Sequence, residues 1–195
     1  GELNGRPLET SSTFGTQLGG EVQTGDTSGA TYGGYTLVTD DYGAIQMEVP
    51  AEWADIDGTA WIDGGETIGA QIDAAANLDG FFSTWNEPGV EFSVSNDLAK
   101  LGGYVQLLDV VRQNFTDSCE LDGRYDYDDG FYRGKYDLFK NCGGPGGSWF
   151  LVLSAVPSDN SQAFLILVDV QIQSDRDLDA LDHILNTFDV VGTLP

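Results

Sequence analysis

Basic side chains are scarce in this sequence: eight lysines and arginines stand against 32 aspartates and glutamates, for a formal net charge of −24. A surface this negative repels the phosphates of nucleic acids and anionic lipid headgroups. We therefore expect no nucleic-acid partner. The acidity fits a secreted protein, a saline environment or cation binding equally well, so the charge alone does not choose among them.

Long apolar runs are also missing. The longest, around residues 163–170, has the length of a strand and contains Asp169, whereas a membrane-spanning helix needs roughly 18 apolar residues. We expect no membrane span. No basic and apolar leader opens the sequence, so residue 1 fits a mature terminus after removal of a signal or an upstream domain. Hydrophobic residues still make up 41%, which is enough for a folded core.

Histidine occurs once, at His183, and this restricts nucleophilic catalysis. A Ser-His-Asp or Cys-His enzyme would have to use His183 as its base. The apolar spacing around it places it toward the polar flank of a helix, and Ser148 lacks the Gly-x-Ser-x-Gly context of a nucleophile elbow. We predict a surface histidine and no catalytic residues.

Only two cysteines are present, Cys119 and Cys142. A redox pair and half of a metal site are possible functions, but there is no CxxC motif and a single histidine cannot complete a Cys/His zinc site. Both cysteines lie equally far from the centre of a predicted hairpin that turns at Asp128-Asp129-Gly130. This symmetry predicts a structural disulfide, worth ~3 kcal/mol in the chain-entropy description, and an oxidising, extracytoplasmic location.

The composition divides the chain into two parts. Residues 1–34 are rich in Gly, Ser and Thr without an apolar period, which predicts a flexible arm or linker. Residues 35–195 predict one α+β domain, an antiparallel β-sheet with amphipathic helices packed on its faces. Strands are predicted near 35–38, 44–49, 67–74, 89–94, 149–156 and 163–173, with the hairpin at 119–142 and helices near 78–85, 100–115 and 176–187.

Two runs of aspartate offer the oxygen ligands that Ca²⁺ prefers. They are Asp126, Asp128 and Asp129 at the hairpin turn, and Asp175, Asp177 and Asp179 at the start of the last helix. The first run has tyrosines at ligand positions of an EF-hand, and the second has Ala180 in place of the required glycine. Turn and helix-start chemistry explains both runs, so Ca²⁺ stays an alternative and no other cofactor is predicted.

Carboxylate pairs and tryptophans are the remaining candidates. Among 32 acids some pair must have the separation that glycoside hydrolases use, but no spacing in the sequence identifies which. Trp53, Trp85 and Trp149 fall on predicted core faces. Trp61, in a Gly-rich loop predicted over residues 57–65, is the candidate for an aromatic contact to a ligand.

Two sequence motifs accompany this order of elements. One is the strand end Val49-Pro50-Ala51-Glu52-Trp53; the other is the closing helix with Asp177, Leu181, Ile184, Leu185, Thr187 and Phe188. Over residues 35–191 the chain resembles the PsbP-like family, which includes the PsbP subunit of photosystem II and bacterial secreted relatives. The resemblance implies an α/β/α sandwich and a binding or assembly module, with no catalytic residues to carry over.

The hairpin carries a narrower resemblance. Its pattern of Cys119, Tyr125-Asp126-Tyr127, Gly134, Tyr136 and Cys142-Gly143-Gly144 is similar to accessory domains that follow trypsin-like peptidase domains in bacterial secreted proteins. This implies that the chain is the non-peptidase part of a larger extracellular protein.

The leading hypothesis is a secreted or cell-surface, non-catalytic module for protein–protein contact or self-assembly, with the N-terminal arm docking on a groove or a neighbouring copy. Such a module should lack a deep polar pocket, and a deep cleft lined by convergent acids with raised pKa values would overturn this hypothesis. One alternative is a secreted hydrolase that uses a carboxylate pair on a glycan or peptide. Another is a Ca²⁺- or salt-dependent surface protein.

Overall fold

The computed structural model describes residues 31–195, and before them the backbone of two short strands, β1 (Glu2–Leu3) and β2 (Arg6–Pro7), which pair with each other. The rest of the arm predicted over residues 1–34 lies outside the described residues. Its docking on a groove or a neighbouring copy therefore stays a prediction.

Two antiparallel sheets follow the arm. Their strands are β3 (Tyr35–Thr39), β4 (Ile45–Pro50), β5 (Asp55–Asp57), β6 (Ala60–Asp63), β7 (Glu66–Ala75), β8 (Gly89–Ser95), β9 (Glu120–Asp128), β10 (Tyr132–Cys142), β11 (Ser148–Pro157), β12 (Leu165–Ile172) and β13 (Asp189–Val190). The large sheet has the order β5-β7-β8-β12-β11-β10-β9, with β6 also paired to β7, and the small sheet has the order β13-β4-β3.

Helices cover both faces of the large sheet. They are α1 (Leu78–Ser83), α2 (Leu98–Leu101), α3 (Tyr104–Val111) and α4 (Asp175–Thr187), with a 3₁₀ turn at Arg112–Asn114. On one face α4 packs between β12 and the small sheet, around residues such as Phe92 and Phe188. On the other face α1 contacts β7 and α3 contacts β10 and β11. The α+β prediction, an antiparallel sheet with helices on its faces, is confirmed.

Two predicted elements differ from the structure. The helix predicted over 100–115 is interrupted at Gly102-Gly103, because Gly102 adopts the left-handed φ of +77° that ends α2, a conformation that glycine tolerates best. The Gly-rich loop predicted over 57–65 instead contains β6, which pairs with β7 from Ala60 opposite Ala70.

The hairpin forms in the expected register. Arg133 pairs with Asp128 and the ladder continues to Leu138 opposite Gly123, after which a bulge shifts the pairing by one residue. Cys119 and Cys142 form the disulfide, a bond typical of oxidising compartments. No helix among the described residues is long and apolar enough to cross a membrane.

Candidate functional site

Three acidic side chains stand in one row on the face of the large sheet that carries α1 and α3. Asp73 of β7 pairs with Glu91 of β8, and Glu91 pairs with Asp169 of β12. Directly opposite residues in antiparallel strands point to the same face with Cβ atoms about 4.5–5.5 Å apart. The three carboxyls, called the acid row below, are therefore nearest neighbours.

The same row continues across the sheet to a fourth acid. Asp169 lies opposite Val152, Val152 opposite Asp137, and Asp137 opposite Arg124. Asp137 is fully buried. It accepts hydrogen bonds from Arg124 Nε and Nη2 at 2.6 and 2.9 Å, and from Arg112 Nε and Nη2 at 3.0 and 3.1 Å. Two guanidinium groups thus hold Asp137 in bidentate geometry.

The acid row has no such partners. Asp73 Oδ2 accepts a hydrogen bond from Gln71 Nε2 at 2.9 Å, and Glu91 Oε1 accepts one from Ser93 Oγ at 3.4 Å. Asp73 Oδ1 and Asp169 Oδ1 are buried and bond to nothing in the described chain. No basic side chain of residues 31–195 forms an ion pair with any of the three.

Burial consequently favours the protonated form of these acids. It raises the pKa of Asp73 to about 6 and that of Glu91 to about 7, and the neighbouring carboxylates add repulsion in the same direction. The pKa of Asp169 also lies well above its usual range, because burial and the charges of Glu91 and Asp73 act together. Burial is therefore the main reason why the pKa of each of the three acids is raised.

Glu91 and Asp169 open into a cavity of about 350 Å³, called the acid pocket below. Its walls are largely aromatic, and the residues that complete it are Phe81, Phe82, Ser83, Thr84, Trp85, Asn114, Phe115 and Phe150. No lysine, arginine or histidine is among them. The pocket therefore combines an acidic floor with apolar walls.

Local sequence explains how α1 forms one wall. Asn77 caps the helix by accepting a hydrogen bond from Gly80 N at 3.2 Å, a standard start for a short helix. Gly89, next to the acid row, lets Phe81 come down onto the sheet, since a Cβ at Gly89 would lie 2.7 Å from the Phe81 ring. The ring of Phe150 stacks against Phe81 at a centroid distance of 6.3 Å.

A second depression of about 470 Å³ lies beside the acid pocket, and Thr84 and Trp85 line both. Its other lining residues are Asn86, Cys142 and the glycine loop, Gly143–Gly147. Trp85 is the partition between the two depressions. Its ring is fixed from the inner side by Phe115 and Phe150, at centroid distances of 5.9 and 6.0 Å.

The aspartates predicted as possible Ca²⁺ ligands serve local structure. Asp126 pairs with Lys135, and Asp128 and Asp129 accept turn N–H groups. Asp177 accepts a hydrogen bond from the N–H of Ser174, the N-cap of α4, and so completes its capping box. Asp175 and Asp179 lie exposed on that helix. Within the described ranges, no group of three or more His, Cys, Asp or Glu side chains could hold a metal ion.

Two other candidates lie away from the pocket. His183 belongs to α4 on the opposite face of the sheet, where its Nε2 bonds to Glu48 Oε2 at 2.6 Å and its ring stacks on Tyr35. Trp61, the residue predicted to contact a ligand, is half-buried and packs against the core beneath α1 and α3. The tryptophan at the pocket is instead Trp85, which the sequence pattern had placed in the core.

Comparison with known proteins assigns no family. No protein-family model matches the chain, and no curated protein matches it. Among solved structures, it is similar to the Ran-binding protein Mog1p of Saccharomyces cerevisiae, with a TM-score of 0.45 and 13% identity over 81% of this chain and 96% of that one. The assignment to the PsbP-like family is corrected on this finding, because the comparison returns Mog1p and not PsbP. A likeness this distant carries no argument about function.

Proposed function

We propose that this chain is a secreted, non-catalytic binding module whose protein partner places a positively charged group in the acid pocket. One observation carries the proposal: Glu91 and Asp169 meet in a pocket whose described lining includes no basic side chain, and Asp169 Oδ1 is buried without a hydrogen-bond partner among residues 31–195. A cation would supply the positive charge that residues 31–195 do not provide at Glu91 and Asp169, together with further hydrogen-bond donors.

The chemistry of the walls supports a cationic group attached to an apolar stem. Aromatic rings attract cations, most strongly where water is excluded, and the rings of Phe82, Trp85, Phe115 and Phe150 line the pocket beside the carboxyls. The aliphatic part of a lysine or arginine side chain would be buried against the same rings. The net charge of −24 would also accelerate encounter with a basic partner.

The electrostatics favour binding over catalysis. A carboxylate pair that acts as acid and base needs two environments that push the two pKa values apart. Here burial raises the pKa of Glu91, Asp169 and Asp73 together. The hydrogen bonds that Asp73 and Glu91 accept from Gln71 and Ser93 do not reverse this shift, and no cation of residues 31–195 pairs with any of the three. A bound cation would instead lower all three pKa values at once.

The acid pocket changes the hypothesis drawn from the sequence, for which a deep cleft lined by convergent acids with raised pKa values is the feature that would overturn a non-catalytic module. We keep the non-catalytic proposal because burial raises these pKa values together instead of pushing them apart. We therefore assign the partner to this pocket and not to the N-terminal arm. The disulfide and the acidic surface support secretion, because disulfides persist in oxidising compartments.

Binding of the cationic group alone tests the proposal. We expect Nα-acetyl-lysine amide, titrated at pH 8, to shift the NMR signal of the Trp85 indole N–H, and Nα-acetyl-norleucine amide, which lacks the ammonium, to leave it in place. In Glu91→Gln/Asp169→Asn the lysine affinity should fall by about tenfold or more, because a hydrogen bond to a charged group contributes about 1.5–3 kcal/mol.

The control is Asp41→Asn/Asp117→Asn, which removes the same charge from two exposed sites. It should bind lysine amide like the parent protein. Equal losses in both double variants would mean that the net charge attracts the amine and that the pocket does not.

A hydrolase remains the second candidate, favoured by the direct pairing of Glu91 with Asp169. Turnover of any polysaccharide or peptide in a substrate screen, abolished by Glu91→Gln and by Asp169→Asn separately, would replace the binding proposal with this one. The absence of turnover on every substrate, together with lysine binding, would remove it.

A further inference from the structure

We infer that the acid pocket is one half of a longer groove, which binds an extended peptide with a basic side chain in the pocket and its neighbouring main chain over the glycine loop. This inference rests on the proposed function and names the form of the partner. The acid pocket and the second depression meet at Thr84 and Trp85, which line both.

The size of the two depressions calls for more than one side chain. They measure about 350 and 470 Å³, whereas cavities of about 300–1,000 Å³ accommodate whole drug-sized ligands. A basic side chain that enters the acid pocket past Trp85 would leave the rest of its residue at the partition. The chain on one side of it would then run over the second depression.

The glycine loop offers this ligand acceptors and no donors. Its N–H groups are all used: Gly143 donates to Ser118 O, Gly144 to Asn141 O, Gly146 to Asn141 Oδ1 and Gly147 to Gly144 O. Pro145 has no N–H. The loop therefore cannot form the N–H cradle that binds phosphate or carboxylate. What suits its carbonyl groups is a ligand that brings its own N–H donors, as a peptide main chain does.

The absence of side chains keeps the loop open to such an approach. Gly143, Gly144 and Gly146 have φ values of +81°, +126° and +75°, which favour glycine over residues with a Cβ. A Cβ on Gly143 would also lie 3.0 Å from Trp85 Cβ. Glycine at this position therefore lets the loop lie close against the tryptophan that separates the two depressions.

Charge distinguishes a peptide from a polyamine. The second depression has no aspartate or glutamate among its lining residues, so a second ammonium group a few carbons from the first would lie over a neutral surface. A single basic residue flanked by uncharged residues matches the groove better. Two acids in one depression and none in the other therefore favour an isolated lysine or arginine in an extended segment.

The test compares ligands of increasing length by calorimetry at pH 8. The probes are Nα-acetyl-lysine amide, the pentapeptide acetyl-Gly-Gly-Lys-Gly-Gly-amide, the same pentapeptide with norleucine, and spermidine. We expect the lysine pentapeptide to bind at least about tenfold more tightly than lysine amide, and the norleucine pentapeptide to lose that affinity.

A substitution in the second depression separates its contribution from that of the acid pocket. Asn86 is exposed and lines only this depression, so Asn86→Trp should fill it, abolish the gain from the longer peptide and leave lysine amide unaffected. Asn96→Trp, at another exposed turn, is the matched control and should keep the gain.

The outcomes distinguish this inference from the proposed function. Two results would contradict the longer groove while supporting the acid pocket as the binding site. In one, lysine amide binds through Glu91 and Asp169 but the pentapeptide binds no more tightly. In the other, Asn86→Trp keeps the tighter binding of the pentapeptide. Tighter binding of spermidine than of the pentapeptide would indicate that the ligand is a polyamine and would overturn the inference that it is a peptide. Failure of every lysine probe would overturn both.

Discussion

The two ends of one residue row differ in whether their acids are paired with a cation. We call the end at Asp137 the paired end and the end formed by the acid row the unpaired end. At one end Asp137 is held by Arg112 and Arg124, and at the other Asp73, Glu91 and Asp169 pair with no cation of residues 31–195. Both ends lie on the same face of the same sheet, and the residue between them is Val152. Buried position alone therefore does not determine how an acid is accommodated in this fold.

The difference is informative because cations are scarce. Two of the eight basic residues in the chain converge on a single aspartate. The three acids of the acid row begin two strands away, about 10 Å from Asp137, and none of them pairs with a cation of residues 31–195. A buried ion pair with complete hydrogen bonds is compatible with a stable fold. Acids whose pKa is raised by burial and that pair with no cation oppose folding near neutral pH. An arrangement that weakens the fold at the place where a pocket opens is typical of a binding site.

The largest loss of stability is expected from a substitution of Asp137, at the paired end. Asp137→Asn leaves the guanidinium groups of Arg112 and Arg124 facing each other without the charge between them. Breaking a buried pair in this way costs about 3–5 kcal/mol, so we expect urea denaturation at pH 7 to show a loss of about 3 kcal/mol in the free energy of unfolding.

Asp126→Asn is the control for this change. Asp126 pairs with Lys135 on the surface, where the aspartate side chain is 88% exposed, and such pairs contribute below about 1 kcal/mol. If Asp137→Asn cost no more than Asp126→Asn, the two arginines would not hold a structurally important charge, and the contrast between the two ends would disappear.

The paired end illustrates what a sequence can and cannot predict. The hairpin of β9 and β10 follows from a local Asp-Gly turn and alternating residues, so both its register and the disulfide between Cys119 and Cys142 could be predicted. The arginines that reach Asp137 come from the hairpin and from the 3₁₀ turn after α3. That second contact depends on packing and not on local pattern.

The acid row could not be assembled from the sequence, because its members come from three strands that are separated by long stretches of chain. In the sequence, each of the three acids gave only a weak indication that it is buried. Asp169 interrupts an otherwise apolar run, and Asp73 and Glu91 occupy strand positions whose neighbours are buried. Only the pairing of β7 with β8 and of β8 with β12 makes them adjacent. A search for acids within the strands predicted over 67–74, 89–94 and 163–173 would have found all three.

The acid row, at the unpaired end, should make the free energy of unfolding depend on pH. The raised pKa values mean that the folded protein binds protons more tightly than the unfolded chain does. Below about pH 4 the acid row is protonated in the folded and the unfolded protein, so it does not reduce the free energy of unfolding. It lowers that free energy progressively as the pH rises from about 4 through about 7. Glu91→Gln/Asp169→Asn should remove much of this decline.

We expect this double variant to match the parent protein near pH 4 and to exceed its free energy of unfolding by about 2 kcal/mol at pH 8, since one pKa unit corresponds to about 1.4 kcal/mol. Denaturation in urea at several pH values measures the difference. Asp41→Asn/Asp117→Asn controls for the loss of net charge and should follow the parent curve. A double variant that is less stable than the parent at pH 8 would show that the two carboxylates stabilise the fold.

The smallest effect comes from giving the acid row a cation of its own. Asn114 lines the acid pocket from the 3₁₀ turn and is exposed, so the ammonium of Asn114→Lys can enter the pocket beside Glu91 and Asp169 and imitate a ligand. Stability at pH 8 should rise by about 0.5–1 kcal/mol relative to Asn114→Met, with no gain at pH 4, where the acids are protonated. The binding of lysine amide should fall, because the new ammonium occupies its place. A gain of equal size at both pH values would mean that the lysine does not interact with the acid row, and that the two ends differ for a reason other than the missing cation.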